Sequence, residues 1–176
     1  MPSQHAIDFQ YYSRYLAVAT SGILTGILIT HSTLLTPLLL ASPSHSTILR
    51  QFHTLQSSSS PSSSKKLITR LSLSSSLFFF AASYLRLSKS WPSAIRCWAA
   101  GCLALSVLPY SWLVMGRTVR KLEGLYEEEV EKREVEGMKE GEVVVRGEVR
   151  GLVDWWGVVN LGRVVGAGAA FLLGIF

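Results

Sequence analysis

An all-α fold, a four-helix transmembrane bundle with a charged and partly helical connection between its third and fourth helices, is what three features of the sequence predict. Apolar runs long enough to cross a bilayer recur along the chain, Lys and Arg gather at their ends, and one mixed-charge segment separates the last two runs. Hydrophobic residues make up 48% of the 176 and the mean hydropathy is +0.30, high for a soluble chain of this size. The net charge of +5 does not point to nucleic acid, because the basic residues form no single stripe and flank apolar runs instead.

Taken in order, residues 1–14 are polar with scattered aromatics, Phe9, Tyr11 and Tyr12, which fits an amphipathic lead-in at a membrane interface. A secretory leader is not expected, since the first apolar run opens after Arg14 and exceeds the length of a signal core. The first span covers roughly residues 15–40 and should break near Pro37; Gly22 and Gly26 give it a face for close helix approach. The connection 41–66 is too rich in Ser and Pro to build a core, apart from a short interfacial helix around residues 48–55.

The second span, 67–87, carries several serines, with Arg70 and Arg86 reaching outward from its two ends. A short turn leads to the third span, 94–115, where Pro109 should kink the helix. Cys97 and Cys102 fall inside it, five residues apart and so on different faces, and read as small buried hydrophobes. In the connection 116–151, Leu122, Tyr126 and Val130 recur at helical spacing among charges, which extends the third helix out of the membrane; Val143 to Val145 suits a short strand. The fourth span is 152–176.

The connections 41–66 and 116–151 hold Arg50, Lys65 and Lys66 and eight further basic residues, against Arg14, Arg86, Lys89 and Arg96 on the other side. The positive-inside rule therefore places both long connections in the cytoplasm and both termini opposite. The organelle is not legible. Small-residue faces leave an oligomer open.

Candidate functional residues lie where polarity is hardest to explain. A charged side chain at the centre of a span costs roughly 2.5–3.5 kcal/mol on insertion scales, so Arg163 must face protein, water or a ligand. Trp156, Asn160 and Arg163 are spaced by four and three residues and share one helix face, beside a second small-residue step at Gly162 and Gly166. His31 sits at a similar depth in the first span, where it is either a satisfied imidazole or a functional base. Arg163 and Asn160 read equally as a ligand site or as a lock between helices. No His, Cys or carboxylate cluster has metal-ligand spacing, and no dinucleotide-binding Gly pattern occurs.

Those residues also carry a family likeness. The first span with Gly22, Gly26 and Pro37, the third ending in PYSWLVM, and the pattern W-x-x-x-N-x-x-R at Trp156, Asn160 and Arg163 together resemble the anthrone oxygenases, small four-helix membrane proteins. After the third span the chain reads Gly116, Arg117, Thr118, Val119 where that resemblance implies Pro-Thr-Asn, so only Thr118 matches. The resemblance implies oxidation of an anthrone to an anthraquinone with dioxygen as co-substrate and no evident cofactor or metal. In that reading Arg163 and Asn160 stabilise the oxyanion, His31 is the base with Asp154 a weaker candidate, and Trp156, Tyr110 and Trp112 hold a flat aromatic molecule. The rival reading is a non-enzymatic membrane protein whose charged connection docks a partner.

Overall fold

A computed structural model describes residues 4–42, 44–56, 64–86, 91–136 and 148–176, and all its regular structure is helical. Helix α1 (Gln4–Thr30) passes through a π-helical turn at His31–Leu35 into α2 (Thr36–Leu40). Then come α3 (His45–Gln56), α4 (Ser64–Arg86) and α5 (Trp91–Tyr110). A second π-helical turn at Ser111–Met115 joins α5 to α6 (Gly116–Glu136), and α7 (Glu148–Ile175) closes the chain. Helix α1 packs between α4 and α7, and α5 packs between the same two, so the four form a closed ring. The first and fourth spans are therefore neighbours.

Three helical segments, Tyr11–Leu40, Trp91–Lys132 and Glu148–Ile175, are long and apolar enough to cross a membrane. Helix α4, expected as the second span, falls short of that measure. Its faces explain why it still belongs among apolar helices. Ser72, Ser75, Ser76 and Ser83 point inward, while Leu73, Leu77 and Tyr84 are exposed. A helix that buries serine and exposes leucine is inside out by the standard of water-soluble proteins. Each buried hydroxyl has a carbonyl to meet: Ser72 donates to Ala104 at 2.6 Å and Ser83 to Ala94 at 2.8 Å, both on α5. These bonds satisfy the serines and let α4 and α5 approach closely.

Pro37 does not break its helix as expected. Pro37 has no N–H to donate, and the chain widens one turn earlier instead of breaking. The Thr36 N–H reaches five residues back to the His31 carbonyl, and its hydroxyl donates to the same oxygen at 3.1 Å. Pro109 lies within α5, two residues before the second widened turn, and the helix runs on to Glu136. The extension of the third helix is thus present, while Val143 to Val145 lie outside the described residues.

The small-residue faces differ from expectation in one respect. On α1, Gly22 packs on Phe171, but Gly26 has nothing near it and shares an outward face with Ile29. On α7, Gly162 and Gly166 do pack against α5.

At the end where the two long connections lie, α3, α6 and the first turns of α7 build their own core from Ile48, Leu49, Phe52, Leu122, Val149 and Val153. The stacked rings of His53 and Tyr126, 4.3 Å apart, tie α3 to α6. At the opposite end Arg14 donates to the Gly174 and Ile175 carbonyls at 2.9 and 2.6 Å, and Arg96 to the Phe176 oxygen at 2.8 Å. Positive charge there meets the negative end of the α7 dipole.

Candidate active site

The polar stripe of α7 meets both π-helical turns. Asn160 has no exposed surface, and its two amide hydrogens are both used: Nδ2 donates to the Leu28 carbonyl at 3.1 Å and to the Ser32 hydroxyl at 2.8 Å. Its Oδ1 accepts from Arg163 Nη1 at 3.3 Å. Arg163 Nε donates to the Ser111 hydroxyl at 2.7 Å, and that hydroxyl donates in turn to the Val107 carbonyl. Ser32 lies in the first widened turn and Ser111 opens the second. Such turns displace backbone groups from the helical ladder and recur at functional sites. Here each brings a hydroxyl to the same face of α7.

No carboxylate among the described residues lies within ion-pair distance of Arg163, and its Nη2 makes no hydrogen bond there. A guanidinium has five N–H donors, so among the described residues Arg163 holds unused donors and a charge without a counter-ion. Beside it is a cavity of about 230 Å³. His31, Trp156, Arg163 and Ser111 line it together with Ile68, Leu108, Met115 and Val119, and Gln56, Ser64 and Lys65 border it from the ends of α3 and α4. The walls are mostly apolar and the charges are cationic. Trp112 lines the cavity yet is 77% exposed, so the space borders the outer surface of the bundle.

Of the residues expected at the site, His31, Trp156, Trp112 and Arg163 share this cavity. The His31 and Trp156 rings lie 6.4 Å apart at a tilt of 35°, and the imidazole makes no hydrogen bond with a described residue. Asn160 stands behind Arg163 and reaches the cavity only through it. Tyr110 is not on the cavity wall. Its hydroxyl donates to the Val159 carbonyl at 3.0 Å, lying against Gly162, where a Cβ would collide with the phenol. Asp154 is exposed and borders a separate open groove with Thr36, Pro37 and Gly157, away from His31.

Sequence reasoning missed Ser32, Ser111, Lys65 and Phe52. The two serines gave no signal apart from their place in apolar runs, where a hydroxyl ordinarily bonds its own helix. Phe52 meets the Trp156 ring edge-on at 5.4 Å and closes the site from α3. Only the docking of α3 reveals that contact.

Residues 61–173, well over half of the chain, match the anthrone oxygenase family. The chain belongs to the anthrone oxygenase family. Trp156, Asn160, Arg163 and Ser111 fall within the matched range, whereas His31, Ser32 and the first span precede it. In this member of the family Val119 lines the cavity and Thr118 is buried, so the step after the third span lies at the site. Neither curated proteins nor solved structures give a match.

Proposed function

We propose that this chain is a multi-pass membrane oxygenase that converts an anthrone-type polycyclic aromatic polyketide to the quinone with dioxygen. The observation that carries the reading is Arg163: a largely enclosed guanidinium whose partners among the described residues are neutral, on the wall of an apolar cavity. Such a group favours an anion with flat apolar surroundings, and the enolate of an anthrone is one. Family membership supports the same choice.

The chemistry is brief. His31, on the cavity wall and without a side-chain partner among the described residues, takes a proton from the ring methylene, and Arg163 stabilises the charge that develops on the carbonyl oxygen. The electron-rich carbanion centre adds dioxygen, and protonation gives a hydroperoxide. Loss of water from the hydroperoxide forms the second carbonyl, so one oxygen atom enters the quinone and the other leaves as water. Dioxygen is the only oxidant, and the two hydrogens lost from the methylene leave with that water. Asn160 positions Arg163, while Trp156 and Trp112 supply ring surface. Both partners partition from lipid, which suits a cavity bordering the outer surface at Trp112. The lysines and arginines of residues 41–66 and 116–151 set those connections in the cytoplasm, with α4 crossing as the second span.

A second reading has one observation in its favour. Asn160 is fully bonded and ties α1 to α7, which is what a structural lock does. Among the described residues Arg163 keeps free donors, which a lock has no use for. Incubating membranes that carry the chain with an anthrone decides between them. Quinone should form above the rate in matched membranes lacking the chain, with one dioxygen consumed per quinone. A rate equal to the spontaneous one rejects the oxygenase reading.

A further inference from the structure

Trp156 is 2% exposed, and its indole N–H has no hydrogen-bond partner among the described residues. Buried donors are rarely left in that state, because desolvation is then uncompensated. None of its described neighbours accepts from it: Phe52 meets it edge-on, and Leu39, Met115, Val153 and Val159 belong to the same apolar cluster. The His31 ring lies 6.4 Å away and accepts no bond from it. A phenylalanine would fill this cluster as well without burying an N–H, if ring surface were all that the position required. Trp156 also lines the cavity that holds Arg163, two helical turns away on the same face of α7.

We propose that the Trp156 indole N–H is a second hydrogen-bond donor to the molecule that occupies this cavity, so the site selects a fused aromatic carrying an oxygen acceptor besides the one that Arg163 takes. This rests on reading the cavity as a substrate site. It goes beyond stacking, since Trp156 then discriminates among flat molecules by where they bear oxygen. Such a contact favours oxygenated rings over bare hydrocarbons of equal shape, and in a lipid bilayer that distinction matters.

The test uses the full chain in detergent micelles, with tryptophan labelled by nitrogen-15 in the indole ring, and two probes. 9,10-Anthraquinone carries two carbonyl acceptors; anthracene has the same ring plan and none. The Trp156 indole proton should move downfield with anthraquinone and not with anthracene. Its resonance is assigned by loss in Trp156→Phe and, should that variant fold poorly, by elimination with Phe at Trp91, Trp98, Trp112 and Trp155. Trp156→Phe should weaken anthraquinone binding about tenfold, the loss of one good hydrogen bond, and change anthracene binding less than about twofold. Equal losses for the two probes, no loss for either, or no anthraquinone-specific shift would overturn the proposal. Turnover is not part of the readout. A chain that binds quinone through Trp156 but oxidises no anthrone leaves this inference standing and removes the catalytic one; an active enzyme indifferent to the Trp156 N–H does the reverse.

Discussion

Arg163 and Asn160 divide the work of one polar stripe. Asn160 spends its amide hydrogens on Leu28 of α1 and Ser32 of the turn that follows, and its oxygen on Arg163, so its contribution is to stability and to aiming the guanidinium. Asn160→Ala should therefore lower stability by about 1–2 kcal/mol, in keeping with hydrogen bonds measured inside membranes. Thermal unfolding of the purified protein in detergent reads this, and an unchanged midpoint would contradict the role. Turnover should fall as well, because Arg163 loses one of its two tethers. The sequence marks Arg163, Asn160 and His31 because a polar group at span depth needs a reason. It does not mark Ser32 and Ser111, since a hydroxyl in an apolar helix is satisfied by its own backbone as readily as by a neighbour. What told them apart was position in three dimensions.

At the scale of elements, the two widened turns are what bring hydroxyls from α1 and α5 to α7, and composition did not announce them. Pro37 and Pro109 signalled a disturbance at the right places, but a break, a kink and a widened turn all begin from the same missing N–H. Likewise the small-residue steps were legible on α7 and only half so on α1, because a glycine face can meet a helix or lipid. Gly162 makes the close approach testable. Its hydrogen leaves room for the Tyr110 phenol to reach the Val159 carbonyl. Gly162→Ala should cost about 1–3 kcal/mol by overpacking, and far less in a Tyr110→Ala background. Additive losses in that double-mutant cycle would place the strain elsewhere. Helix α4 shows the opposite limit. Its serines depressed its apolar character, yet they form its buried face.

Across the whole molecule the two ends differ. One end is a cap of α3, α6 and the start of α7, with its own apolar core, over the cavity; the other is fastened by Arg14 and Arg96 on the last turn of α7. The sequence marked which residues lie at each end through its charges, and it predicted the α3 helix, but the docking of that helix over Trp156 depends on tertiary packing alone. The orientation we propose rests on the basic residues of the capped end. With Cys97 and Cys102 replaced by Ser, Thr54→Cys should react with an impermeant thiol reagent from the cytoplasmic side and Tyr12→Cys only from the other; the reverse pattern would invert the topology. The oxygenase we propose rests on the cavity, on an Arg163 guanidinium with no carboxylate partner among the described residues, and on the family. The rate of quinone formation from an anthrone, compared between membranes holding the natural chain and membranes holding Arg163→Met at equal abundance, tests that most directly. Losing the preorganised charge should lower the excess rate by about 10²-fold or more while the protein remains folded and inserted. An Arg163→Met chain that oxidises anthrone as fast as the natural one would contradict the account.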